Sequence, residues 1–225
     1  LSFRESLVYC DRHDAAPIAA MSIAEHHRHS KTRRRPYRLR ARAVAMDQTR
    51  ARIIRAAIEL HGTIGPAATT MSAVAERAAV TRATLYRHFS NEQALFAACS
   101  ADWLAANPRP DPARWATIAD PAGRLATALA ELYAYYRSTA PMRANLLRDI
   151  AVLPTAIRSG IVAFPGSVVR TLETGWPETR AAHLRRATIA HAVAFATWQS
   201  LSSEGLTDDE AAALMVGLVT SAAMP

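Results

Sequence analysis

The stretch from Thr69 to Phe89, TTMSAVAERAAVTRATLYRHF, constrains the fold more than any other part of the chain. Met71, Val74, Ala75 and Ala78 recur at helical spacing, while Ser72, Glu76 and Arg77 fall on the other face. Thr70 precedes them, and its hydroxyl can accept from the orphan N–H groups of a first helical turn. The pattern breaks at Ala79-Val80 and resumes after Thr81, a second capping residue, with Leu85 and Phe89 one turn apart on an inward face. The segment therefore reads as two short helices joined by a tight turn. The outward face of the second carries Thr81, Arg82, Thr84, Tyr86 and His88, which are hydrogen-bond donors and one cation without an acid. Such a face suits phosphate oxygens and the acceptor edges of guanine. Paired amphipathic helices also occur in all-α proteins that never meet DNA, so periodicity alone leaves both readings open.

The neighbouring sequence narrows the choice. RARIIRAAIELHGTIG (Arg50–Gly65) reads as a preceding helix with Ile53, Ile54, Ala57 and Leu60 as its buried stripe, and SNEQALFAA (Ser90–Ala98) as the start of a following one. In this order the three segments, covering residues 47 to about 106, resemble the DNA-binding domain of the tetracycline-repressor (TetR) family of bacterial transcription regulators. TLYRHF (Thr84–Phe89) is the most specific element of the match. The resemblance implies an all-α protein with a three-helix head, a linking fourth helix, and a helical body that binds a ligand and dimerises. It implies that Arg82, Ala83 and Thr84 face base edges, that Thr81, Tyr86 and His88 hold phosphates, and that Thr70 sets a helix N-terminus against the DNA backbone. Arg82 would pair bidentately with guanine. Tyr86 has a second reading, in which its ring packs against the first helix.

Three positions depart from the family pattern. Ala79 stands where glycine is usual in the turn, so a left-handed backbone there carries strain. Glu92 replaces a lysine that often reaches phosphate. His61 replaces a bulky apolar residue, often phenylalanine, and is expected to be a packed, hydrogen-bonded histidine.

Charge is unevenly placed. The chain of 225 residues carries a net +8, which suggests an anionic partner. Residues 1–45 hold ten basic residues against four acids, whereas the remainder holds seventeen against fifteen. Residues 1–45 are read either as a disordered basic arm or as an extension through a mis-assigned start, Met21 and Met46 both being plausible starts. As an arm, Lys31–Arg42 would reach across phosphates or into the minor groove. Pro36 and the density of charge argue against a stable helix there. The HHRH cluster (His26–His29) is expected to be unstructured, with no metal. Ala15–Ala24 is too short to span a membrane.

Cys10 and Cys99 make no disulfide framework, which fits a reducing cytoplasm, at the nucleoid if the head binds DNA. No phosphate loop, zinc spacing or nucleophile motif appears, so an enzyme reading has no support and no cofactor is implied.

Beyond residue 106 prolines and glycines punctuate a series of helices. Asn107–Asp120 reads as a connector. Pro121–Ala140 reads as a helix with Leu125, Leu129, Leu132, Tyr133 and Tyr136 on one face, and Pro141 as the start of a short helix to about Val152. A further helix from Pro154 is disturbed at Gly160 and Pro165-Gly166, a long one runs Pro177–Ser203, and Thr207–Glu210 is a capping box for the last. Trp103, Tyr133, Tyr136, Met142, Phe164, His191, Phe195 and Trp198 are candidates to line a pocket for a small, largely apolar ligand, and each is also an ordinary core residue. Arg137 and Arg148 have two readings, contact with an anionic ligand or solvated surface, and the second is expected. Leu214, Met215, Leu218, Val219 and Ala222 mark the last helix as a dimerisation element, or as cover for the body's own core.

The expected organisation is thus an arm (1–45), a head (46–106, helix-turn-helix 70–89) and a body (107–225). The expected function is a dimeric repressor of a palindromic operator, released by a small effector. Two alternatives stay open: a non-specific nucleoid or architectural protein driven by the arm, and a ligand-binding module with a degenerate head.

Overall fold

A computed structural model of the protein describes residues 21–222, with side chains described at 37 and from 39 onward. Among the described residues there are ten α-helices and no strand. The first, α1, spans Met21–Thr63 and runs through Pro36, where the sequence predicts a break. Arginine, alanine and methionine on either side are strong helix formers, which offsets the lost hydrogen bond. The part of α1 up to Thr49 belongs to one compact unit and Arg50 begins another. Cys10 lies outside the described residues, as do the side chains of His26–His29.

In the second unit, the end of α1 packs with α2 (Met71–Arg77), α3 (Arg82–His88) and α4 (Glu92–Ala106). Their core comprises Ile53, Ala57, Met71, Val74, Leu85, Phe89, Leu95 and Cys99, all buried. Burying a side chain such as Leu85 contributes about 1.5–3 kcal/mol, so this small head rests on a handful of contacts. The α2–α3 turn closes as a Schellman motif. Val80 N–H donates to Ala75 O at 2.9 Å, and Ala79 N–H to Glu76 O at 3.0 Å. Ala79 accordingly sits at φ +52°, the left-handed position that glycine would fill without strain.

The body adds α5 (Pro112–Trp115), α6 (Pro121–Arg148), α7 (Thr155–Glu173), α8 (Ala182–Ala192), α9 (Phe195–Ser203) and α10 (Asp208–Ala222). Its core gathers Leu125, Leu129 and Leu132 of α6, Val168 and Leu172 of α7, Ile189 of α8, Trp198 of α9 and Met215 and Val219 of α10. Three boundaries differ from expectation. Pro141 does not divide α6, and neither Gly160 nor Pro165-Gly166 interrupts α7. An internal proline costs about 3 kcal/mol, but Met142, Asn145 and Asp149 beyond Pro141 are buried, and that packing holds α6 continuous.

The third difference runs the other way. The helix predicted over Pro177–Ser203 is split at Val193-Ala194, with no glycine or proline there. Side chains satisfy the carbonyls that the split frees. Tyr133 donates to Ala192 O at 2.8 Å, Tyr136 to Val193 O at 2.7 Å, and Thr197 to His191 O at 2.7 Å. Unpaired buried carbonyls are costly, so two tyrosines of α6 make the break tolerable. The capping box of α10 forms as predicted: Thr207 N–H donates to Glu210 at 2.8 Å, and Glu210 N–H to Thr207 at 3.2 Å.

Candidate nucleic-acid interface and effector cavity

Both caps of the helix-turn-helix are in place. Thr70 accepts from Ala73 N–H at 3.1 Å, and Thr81 accepts from Thr84 N–H at 3.1 Å. These bonds orient the first turns of α2 and α3, leaving Thr81, Arg82, Ala83 and Tyr86 exposed and Thr84 half-buried. Arg82 lies over the Tyr86 ring at 6.0 Å, an outer-range contact on the exposed face of α3. His88 differs from its expected role. Its ring is half-buried, its Nε2 is enclosed without a partner, and desolvation with Arg87 and Arg50 nearby holds its pKa below the usual range. A phosphate contact through Nε2 therefore requires the ring to turn. Arg50 braces this end, donating to His88 O at 3.3 Å and lying over Phe89 at 4.3 Å. Asn91 caps α4 by accepting from Ala94 N–H at 2.8 Å. Glu92 then sits in the first turn, where the helix dipole favours an acid, a structural reason for the missing lysine.

A polar latch ties the end of α6 to the loop after α1. Asn145 donates to His61 O at 3.0 Å and Arg148 to Ile64 O at 2.9 Å, while Asp149 accepts from Ala67 N–H at 3.0 Å. Arg148 also pairs with Asp149 at 2.8 Å, and with the Ala67 bond this holds the Asp149 carboxyl below the usual carboxylate range. Gly65 makes the latch possible. It sits at φ +92°, and a Cβ there would overlap Arg148.

Behind the latch lies a cavity of about 210 Å³, walled by α1, α4, α6 and α7, with Phe96, Trp103, Met142 and Ile157 among its apolar lining. His61 and Cys99 belong to its wall. His61 stacks on Phe96 at 4.7 Å with its Nδ1 3.7 Å from Cys99 Sγ. Burial lowers the His61 pKa to about 4 and raises that of Cys99 to about 12, so both are neutral near pH 7. His61 is thus the packed histidine that the sequence predicts.

Residues 53–99 match the family model described as bacterial regulatory proteins, tetR family. The head belongs to the TetR family. No match to a curated protein is found. Among solved structures the chain is similar to a candidate regulator of fatty acid metabolism from Clostridium perfringens, at TM-score 0.56 and 14% identity, covering 76% of this chain and 97% of that one. It is also similar to NalD of Pseudomonas aeruginosa, the secondary repressor of the MexAB-OprM multidrug efflux pump, at TM-score 0.52 and 19% identity, covering 78% and 95%. At these identities the likeness is one of fold: a TetR-type head on a helical body. No helix among the described residues is long and apolar enough to cross a membrane, and no cluster of His, Cys, Asp or Glu there could hold a metal ion.

Behind the TetR-type head, the body places the expected pocket residues differently. Trp103 and Met142 line the large cavity and Phe164 a smaller one beside it. Tyr133, Tyr136, Phe195 and Trp198 are instead packed in the core, their polar atoms engaged by the helix break or, for Trp198, by Asp208 at 2.8 Å. His191 is exposed. Tyr133 and Tyr136 do share a face of α6, and it points into the packed centre, whereas the split at Val193-Ala194 puts His191 on a different helix from Phe195 and Trp198. Arg137 is held by Asp208 at 2.7 Å. Sequence reasoning missed Arg109 and Arg143, which do reach the cavities. The signal for Arg143 was its position seven residues after Tyr136, readable only if α6 continues through Pro141.

The expected dimer residues also divide. Met215 and Val219 are buried in the body's own core, and Ala222 is half-buried. Leu214 and Leu218 are exposed at 44% and 48%, and Leu184 on the adjacent α8 at 53%. One helix therefore presents two apolar faces, one covered and one open.

Proposed function

We propose that this protein is a dimeric transcriptional repressor that binds a palindromic operator and leaves it when a small, largely apolar effector fills the body cavity. The observation that carries the reading is the exposed start of α3, set by the Thr81 cap, which presents donors and the Arg82 cation with no acid. Arg82, Ala83 and Thr84 are assigned to base edges, and Thr70, Thr81, Tyr86 and His88 to phosphates. Two-fold pairing through the open faces of α8 and α10 would double a small contact set on half-sites about 34–36 Å apart.

Geometry also supports a route for release. α4 contributes Leu95 and Cys99 to the head core and Phe96, Cys99 and Trp103 to the cavity wall. An effector that prefers one pose of α4 shifts the population towards it, and the head moves with that helix and with the latch on α6. The two heads then no longer match successive major grooves.

The test is binding of purified protein to its own upstream intergenic DNA against scrambled DNA of equal length, across a salt series. The repressor reading expects sequence-dependent binding by a dimer that survives deletion of residues 1–45. Equal binding to both DNAs, lost with that deletion and falling steeply with salt, would favour the architectural alternative. A dimer that binds small molecules but selects no site from a genomic library would favour the degenerate head.

A further inference from the structure

The smaller cavity, about 30 Å³, shares Trp103, Arg109, Leu146 and Ile161 with the large one and adds Tyr135 and Arg143. Three enclosed polar atoms on its lining residues lack a hydrogen-bond partner: Arg109 Nε, Arg143 Nε and the Tyr135 hydroxyl. Enclosed polar groups without partners are rare in folded chains, and here three of the five among the described residues gather at one place. No Asp or Glu lines either cavity. Neither guanidinium forms an ion pair among the described residues.

Packing alone does not account for these cations. Arg143 lies over the rings of Tyr135, Tyr136 and Phe195 at 4.8–5.7 Å, and Arg109 over Phe164 at 5.2 Å. A ring face attracts the charge but gives the in-plane N–H no acceptor. Arg124 shows how this fold treats a structural arginine. Buried without an acid, it donates to four carbonyls, those of Ile118, Ala119, Thr171 and Thr174. Arg109 finds one, Gly160 O at 3.2 Å, and its Nε is left over.

We propose that Arg109, Arg143 and Tyr135 form an anion hole, and that the effector is an amphiphilic carboxylate whose apolar part occupies the large cavity. A carboxylate is acceptor-only and matches two guanidinium edges and a phenol. The small hole favours a planar two-oxygen group over a bulkier tetrahedral anion. A cavity of about 150 Å³ holds a benzene ring, so 210 Å³ suits a short to medium alkyl chain or a single substituted ring. His61 and Cys99 line the large cavity but not the small hole, and being neutral they leave no charge to oppose an apolar terminus. The proposal rests on reading the body as an effector sensor.

Calorimetry on the full chain tests it, with straight-chain carboxylates from butanoate to decanoate and the matching alcohols and amines as probes. The best carboxylate is expected to bind at least about tenfold more tightly than its alcohol, as befits charge-assisted bonds, with the amine weaker still. Arg143→Met should abolish that preference. Tyr135→Phe, which keeps the ring and the packing, should weaken carboxylate binding severalfold with an unchanged melting temperature. Equal binding of acid and alcohol, or a preference that survives Arg143→Met, overturns the anion hole and leaves sensing intact. If no carboxylate binds while a neutral naphthalene dye fills the cavity, the carboxylate class alone is wrong. If neither binds, the sensing reading fails with it.

Discussion

Gly65→Ala probes the latch between α6 and the loop after α1. Gly65 adopts φ +92°, ψ 162°, a region open essentially to glycine alone, and forcing alanine into it costs about 1–3 kcal/mol. The added methyl would also overlap the Arg148 guanidinium and come within 2.5 Å of Asp149 Oδ2. The bonds from Arg148 to Ile64 O and from Ala67 N–H to Asp149 must then lengthen or break. Arg148 is half-exposed, so its bond counts for less than a buried one. The expected cost is therefore at least the backbone's about 1–3 kcal/mol, a sizeable share of the ~5–15 kcal/mol that holds a typical domain folded.

Urea unfolding of the wild type, Gly65→Ala, an Arg148→Ala, Asp149→Ala variant and the three changes combined separates the two terms. With Arg148 and Asp149 already removed, the alanine should cost about 2 kcal/mol, the backbone part alone. An equal cost in both backgrounds would show that the latch does not depend on Gly65. A wild-type cost under about 1 kcal/mol would refute the backbone argument as well.

Arg82→Ala should weaken operator binding by about 1–3 kcal/mol per half-site in a mobility-shift titration, with stability unchanged within about 0.5 kcal/mol; unchanged affinity and sequence preference would unseat α3 as the reading element. Ala79→Gly should raise stability by about 0.5–1 kcal/mol, because relief of the left-handed strain exceeds the added chain entropy; a loss on urea unfolding would contradict that. His61 has a folded pKa of about 4 against an ordinary 6.5, so the folded state binds fewer protons between these values. Its stability contribution is present above pH 6.5 and is lost as pH falls towards 4, by about 3 kcal/mol at most. His61→Phe should flatten that limb of the melting temperature against pH, and an unaltered slope would mean that another group carries it. Leu214→Glu with Leu218→Glu should convert the proposed dimer to monomer by light scattering, and a persistent dimer would place the interface elsewhere.

What could be read from the sequence was decided within a turn or two of chain. Thr70 and Thr81 cap because a hydroxyl reaches an N–H three residues on, and Thr207 and Glu210 close their box for the same reason. The spacing of Val74, Leu85 and Phe89 exposed the buried faces of α2 and α3 because a seven-residue helix has only one face to hide. Even the strain at Ala79 was visible, since the turn demands a left-handed residue there. Besides the break expected at Pro36 and the open ring expected of His88, the readings that failed concern the body, where helices are long and propensity is a weak guide. Prolines 141 and 165 lost to the burial of residues beyond them. The split after Ala192 left no mark, because the groups that satisfy its carbonyls, Tyr133 and Tyr136, lie nearly sixty residues earlier.

The same division runs through the candidate site. The sequence alone determined that the chain is helical and that residues 69–89 form two short capped helices, the second with a donor-rich outer face. It also placed an apolar last helix after a capping box. Each of these follows from spacing, caps and charge inside one segment. Only the tertiary structure decided which aromatic residues face a cavity, which face of α10 stays open, and that two arginines from α6 and the α4–α5 connector meet at one hole without an acid. Burial and unsatisfied hydrogen bonds belong to segments brought together, and no single segment carries that information.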